Sequence, residues 1–133
     1  MKKLLIVEDN ADNMYLIGYI LRRHGYAVLE TYNGREGVAM AIQERPDLIL
    51  MDVQLPDIDG LEATRQIRAS PVDDSIPIVA LTSYALTGDR QRALAAGCSG
   101  YIEKPIDPDQ FLDQIQHFLT SSSDEKNREH PDS

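Results

Sequence analysis

Residues 47–52, Asp47-Leu48-Ile49-Leu50-Met51-Asp52, decide the fold. Large apolar residues in unbroken succession, closed by a carboxylate, read as a strand buried on both faces whose C-terminal tip meets a polar rim. The pattern recurs along the chain. Leu4-Leu5-Ile6-Val7 closes on Glu8-Asp9, Ile78-Val79-Ala80-Leu81 closes on Thr82, and Tyr101-Ile102 is soon followed by Lys104. In a parallel sheet every such tip points the same way. Three carboxylates, a hydroxyl and an ammonium then converge on one rim.

Amphipathic stretches alternate with the apolar runs, as repeated βα units require. Strands are predicted near 3–8, 27–31, 48–52, 77–82 and 100–103, and helices near 11–23, 34–44, 60–69, 88–97 and 107–120. Local signals support the helix starts and stops. Asn33 with Glu36 fits a capping box, Gly97 a left-handed C-cap, and Asp107-Pro108 an N-cap followed by N1. Strands joined by crossover helices make an α/β, doubly wound parallel sheet, predicted in the order 2-1-3-4-5. Ligands of such sheets bind beyond the carboxyl ends of the strands, at the topological switch point. Here that point lies between the tips of strands one and three.

The chain of 133 residues, 42% hydrophobic, is long enough for one domain with its own core. The expected division is a domain over 1–120 and a flexible polar tail over 121–133, where Ser121-Ser122-Ser123-Asp124-Glu125-Lys126 begins a stretch without apolar residues. No apolar run approaches the length of a membrane span, and Glu8-Asp9 interrupts the first one too early for a secretory signal. The single cysteine, Cys98, fits a reducing cytoplasm. A net charge of −9 argues against nucleic acid bound through its phosphates.

Crowded carboxylates raise one another's pKa or recruit a cation. Glu8, Asp9 and Asp52 form a hard oxygen set suited to Mg2+, which offsets their repulsion and admits an anionic phosphate donor. A carboxylate can then attack phosphorus to give an aspartyl phosphate. Lys104 and Thr82 would supply donors to the phosphoryl oxygens. Read singly, each residue is an ordinary polar group at a strand end; the ordered set carries the chemistry.

Leu4-Leu5-Ile6-Val7-Glu8-Asp9-Asn10, Asp47 to Asp52, Leu55-Pro56, Asp59-Gly60, Ala80-Leu81-Thr82 and Lys104-Pro105 together resemble the CheY-like receiver domain of two-component response regulators. The resemblance spans residues 3–119 and implies a flavodoxin-like fold. It implies Asp52 as phosphoacceptor, with Asp9, Asp52 and the Gln54 carbonyl binding Mg2+ directly and Glu8 through water. It implies Thr82 and Lys104 as phosphoryl contacts and a cis Lys104–Pro105 bond. Glu8 stands where many relatives carry Asp, and its longer arm suits a water-mediated role.

The resemblance further implies a switch in which Thr82 moves toward the phosphoryl group and Tyr101 turns inward, altering the face of helix four, strand five and helix five. Gln54 and Tyr84 occupy positions that tune water access. On helix one, Asn13, Leu16, Ile17 and Ile20 are expected to face the sheet. Met14, Gly18 and Leu21, beside Asn13, form a flanking stripe expected to dock a sensor histidine kinase or histidine phosphotransfer protein. The expected protein is a phosphorelay switch, not an enzyme. It would act on a downstream protein target as a monomer or weak phosphorylation-linked dimer. Two rivals are a phosphorylation-independent binding module and an aspartyl-phosphate phosphatase of the haloacid dehalogenase type. The latter needs a second Asp where this chain has Gln54. Asp57-Ile58-Asp59-Gly60 matches part of a calcium loop but lacks its closing Glu.

Overall fold

The computed structural model describes residues 1–72, 75–83 and 88–128. Strand β3 (Leu48–Asp52) is buried at every position, because it has strands on both sides and helices on both faces. Around it run β1 (Lys3–Val7), β2 (Ala27–Thr31), β4 (Ile78–Thr82) and β5 (Gly100–Glu103), all paired in parallel in the order β2-β1-β3-β4-β5.

The strand alternation of period two sorts the apolar runs into two cores. Leu4, Ile6, Leu48, Leu50, Val79, Leu81 and Ile102 pack with α1 (Ala11–Arg23) and α5 (Pro108–Arg128), which contribute Met14, Ile17, Leu21, Phe111 and Ile115. Leu5, Val7, Ile49, Met51, Ile78 and Ala80 pack on the other face. There they meet α2 (Gly34–Glu44), α3 (Gly60–Ala69) and α4 (Asp89–Ala96) through Ala41, Leu61, Ala63, Ile67, Ala93 and Ala96. Covering both faces is what makes the runs continuous rather than alternating.

Side-chain caps set the helix starts. Asn10, Asn33 and Asp59 accept hydrogen bonds from the backbone N–H groups of Asn13 (2.9 Å), Glu36 (2.9 Å) and Glu62 (2.8 Å). Gly97 closes α4 at φ 111°, a left-handed conformation that glycine adopts without a Cβ penalty.

Two expectations need correction. Met14 and Leu21 are core residues, 2% and 0% exposed, and Gly18 is buried, so this stripe cannot receive a partner helix. Helix α1 lies against both the sheet and α5, so its buried arc is wider than a single stripe. Asn13 is half-buried at the arc's edge, and the exposed face carries Tyr15 and Tyr19 instead. Second, α5 runs to Arg128, past the expected end at 120. Once a helix is anchored by its packed turns, each added residue gains one hydrogen bond without a new nucleus, and Glu125 and Lys126 are good helix formers.

Candidate functional site

The sheet register brings the polar tips together. Val7 pairs with Met51, and one residue further along each strand lie Glu8 and Asp52. Thr82 pairs with Glu103, and the backbone N–H of Lys104 donates to the Thr82 carbonyl at 2.8 Å. The edge residues that the apolar runs deliver therefore share one rim, across the β1–β3 boundary where the strand order reverses.

Carboxylate oxygens of Glu8, Asp9 and Asp52 lie within 4.8 Å of one another. Glu8 is 0% exposed and Asp52 is 3% exposed, while Asp9 is exposed to solvent. Two backbone donors orient the buried pair: Asn10 N–H to Glu8 Oε1 at 3.1 Å, and Gln54 N–H to Asp52 Oδ1 at 3.1 Å. The Lys104 ammonium stands 3.1 Å from both Asp52 Oδ2 and Glu8 Oε2. One ammonium thus faces two buried carboxyl groups.

The charge imbalance shows in the ionisation of the groups. Burial, the Asp52 hydrogen bond and the Asp52 charge push Glu8 from 4.5 up to about 7, although Lys104 pulls the other way. Burial pulls the Lys104 pKa down, but hydrogen bonds and charge from Asp52 and Glu8 outweigh it and raise the value overall. Two buried carboxyl groups sharing one ammonium, beside an exposed third carboxylate, fit a hard divalent cation with oxygen ligands. Mg2+ held by these groups would favour the ionised form of Glu8.

Thr82 is buried at the tip of β4. Tyr101 is half-buried on β5, and the Arg90 guanidinium from α4 lies 5.6 Å from its ring centroid. The Lys104–Pro105 bond is cis. Tyr84 falls outside the described residues. Gly60 sits against the Asp52 carbonyl with no room for a Cβ, and its N–H donates to the Val53 carbonyl at 2.8 Å.

Sequence reasoning missed the role of Asp57. Its Oδ1 accepts from Gly34 N–H at 2.7 Å and its Oδ2 from Arg35 N–H at 2.9 Å, at the start of α2. Asp59 caps α3, so two acids of the apparent calcium-loop fragment cap two different helices. No local spacing reveals a cap whose partners lie 22 and 23 residues away. Residue type was the only signal, since an Asp in a turn beside a helix start is a competent cap.

The response regulator receiver domain family matches residues 4–116. The polar-differentiation response regulator DivK of Brucella anthropi is 42% identical over 118 residues, covering 89% of this chain and 96% of that protein. Its counterpart in Brucella ovis is 40% identical with the same coverage. Among solved structures, the receiver domain of sensor histidine kinase PA1611 from Pseudomonas aeruginosa PAO1 is 40% identical, with a TM-score of 0.83 over 90% of this chain and 98% of that one. That structure has a magnesium ion coordinated in its active site cleft. The CheY-like receiver domain protein of Methanospirillum hungatei JF-1 is 30% identical, with a TM-score of 0.86 over 94% of this chain and 98% of that one. With two-component relatives across nearly its whole length and the acidic rim that its strands build, this chain belongs to the response regulator receiver domain family.

Proposed function

We propose that the protein is a cytoplasmic phosphorylation switch in which Asp52 accepts a phosphoryl group from a phosphohistidine donor. The observation that carries this reading is the placement of Asp52 between a carboxylate pair and one ammonium, Lys104, at 3.1 Å. Glu8, Asp9, Asp52 and the Gln54 carbonyl would hold Mg2+, with Glu8 acting through water. When bound, the cation supplies positive charge that lets an anionic donor approach the acidic rim.

The chain's own residues do the rest. A carboxylate oxygen of Asp52 forms the new bond to phosphorus as the P–N bond to the donor imidazole breaks, and the electron pair leaves with the ring nitrogen. Lys104, already raised in basicity and charged at neutral pH, meets the charge on the phosphoryl oxygens. The Thr82 hydroxyl donates to the same group. Its movement, coupled to Tyr101, alters the α4-β5-α5 face and so changes which protein target binds. Gln54 and Tyr84 tune the access of water that hydrolyses the product.

A protein donor reaching Asp52 would meet the outer face of α1 next to Asp9. That face presents Tyr15 and Tyr19, which are 74% and 52% exposed and stacked with ring centroids 6.3 Å apart. The test of the function is intact mass after incubation with Mg2+ and a small phosphoramidate. The expected result is the gain of one phosphoryl group, lost in Asp52→Asn. A wild-type protein that gains none, yet binds its target, would favour the phosphorylation-independent module.

A further inference from the structure

The loop between β3 and α3 carries Gln54, whose N–H holds Asp52 Oδ1 at 3.1 Å. Its two ends are tied to the sheet and to itself: Val53 N–H donates to the Leu81 carbonyl at 3.1 Å, and Gly60 N–H to the Val53 carbonyl at 2.8 Å. Between those ties, Asp57 reaches across to the first turn of α2 with both carboxylate oxygens. The helix start is shaped to receive it. A Cβ at Gly34 would stand 2.5 Å from Ile58 Cγ1 and 3.0 Å from the Ile58 carbonyl oxygen, so only glycine lets the loop close this far. Farther along the same helix, Gly37 packs against Val7, the residue before Glu8. Helix α2 therefore rests on β1 beside one half of the acidic rim while its N-terminus grips the loop that supports the other half.

We propose that Asp57 is a positioning residue that fixes the β3–α3 loop, and with it Gln54, at the cation site by clamping the loop to the N-terminus of α2. The inference rests on the metal-assisted reading above and adds a residue that touches neither cation nor phosphate. Against the desolvation cost, the backbone N–H groups of Arg35 and Gly34, joined by those of Ile58 and Asp57 itself, hold the Asp57 carboxyl down at about 2, so the clamp is ionised throughout the neutral range. Residues supporting a ligand from outside typically matter about tenfold or more in metal affinity.

The experiment is Mg2+ titration, without phosphodonor, of wild type, Asp57→Ala, Asp57→Asn and Asn33→Ala. Amide exchange at Gly34 and Arg35 is followed with and without the ion. Asn33→Ala removes the local cap of the same helix, which accepts from Glu36 N–H at 2.9 Å, and leaves the loop clamp in place. Asp57→Ala should weaken Mg2+ binding about tenfold, and Asp57→Asn, retaining one acceptor, should fall between. Asn33→Ala should stay within about twofold, and Mg2+ should slow exchange at Gly34 and Arg35 in the wild type. Equal losses in Asp57→Ala and Asn33→Ala would reduce the clamp to helix stability and overturn the proposal, as would unchanged affinity in Asp57→Ala. If Asp57→Ala does not fold, wild-type exchange unmoved by Mg2+ is the overturning result. Because no phosphodonor is present, failure of phosphoryl transfer would leave these outcomes readable.

Discussion

Mg2+ binding should be strongly pH-dependent between pH 6 and 8, and Glu8 is the reason. An ordinary carboxylate near 4.5 is fully ionised over that range and would give flat affinity. Burial and the neighbouring Asp52 push Glu8 up to about 7. A cation must then displace its proton, so apparent affinity scales with the ionised fraction, about nine-tenths at pH 8 and one-tenth at pH 6, a fall of about tenfold. The same linkage sets the stability. Folded Glu8 binds its proton more tightly than the unfolded chain does. Its contribution is therefore complete below about 4.5 and lost as pH rises through about 7 in the absence of cation. Added Mg2+ should raise the melting temperature more at pH 8 than at pH 6. Calorimetric titration in buffers of different ionisation heats measures both affinity and protons released, with about half a proton expected at pH 7. Glu8→Gln cannot release a proton and should bind weakly with no slope. Flat wild-type affinity, or a slope that survives in Glu8→Gln, would refute the reasoning.

Phe111 is fully buried where α5 meets the sheet, and Phe111→Ala should cost about 3–5 kcal/mol in urea unfolding. Gly60→Ala forces a methyl into the Asp52 carbonyl, so it should destabilise by about 1–3 kcal/mol and slow phosphorylation from a small donor by displacing the acceptor. Tyr15→Glu, on the exposed face of α1, should slow transfer from a phosphohistidine protein while leaving the small-donor rate unchanged. Equal slowing with both donors would count against docking there.

The parts of the fold and site that were legible are those a strand records locally. Leu48 to Met51 announces burial on both faces, and the polar residue that ends each run marks the rim, so Glu8, Asp52, Thr82 and Lys104 could be grouped before their contacts were known. The docking stripe failed because helical periodicity gives the direction of an apolar arc but not its width. That width depends on the packing of α5 beside α1 in the same core, which is a tertiary fact. The end of α5 failed for a related reason: composition judges whether a segment can bury itself, whereas residues following Thr120 need only extend a helix already held by Phe111 and Ile115. Asp57 was illegible because its partners, Gly34 and Arg35, are reached across space rather than along the chain.

The most direct test of the central claim is intact-mass measurement of wild type and Asp52→Asn after exposure to a small phosphoramidate, with Mg2+ and with a chelator. A single phosphoryl adduct that requires both Mg2+ and Asp52, located on Asp52 by peptide mapping, is the predicted result. An adduct on another residue, one indifferent to the chelator, or none at all would contradict it.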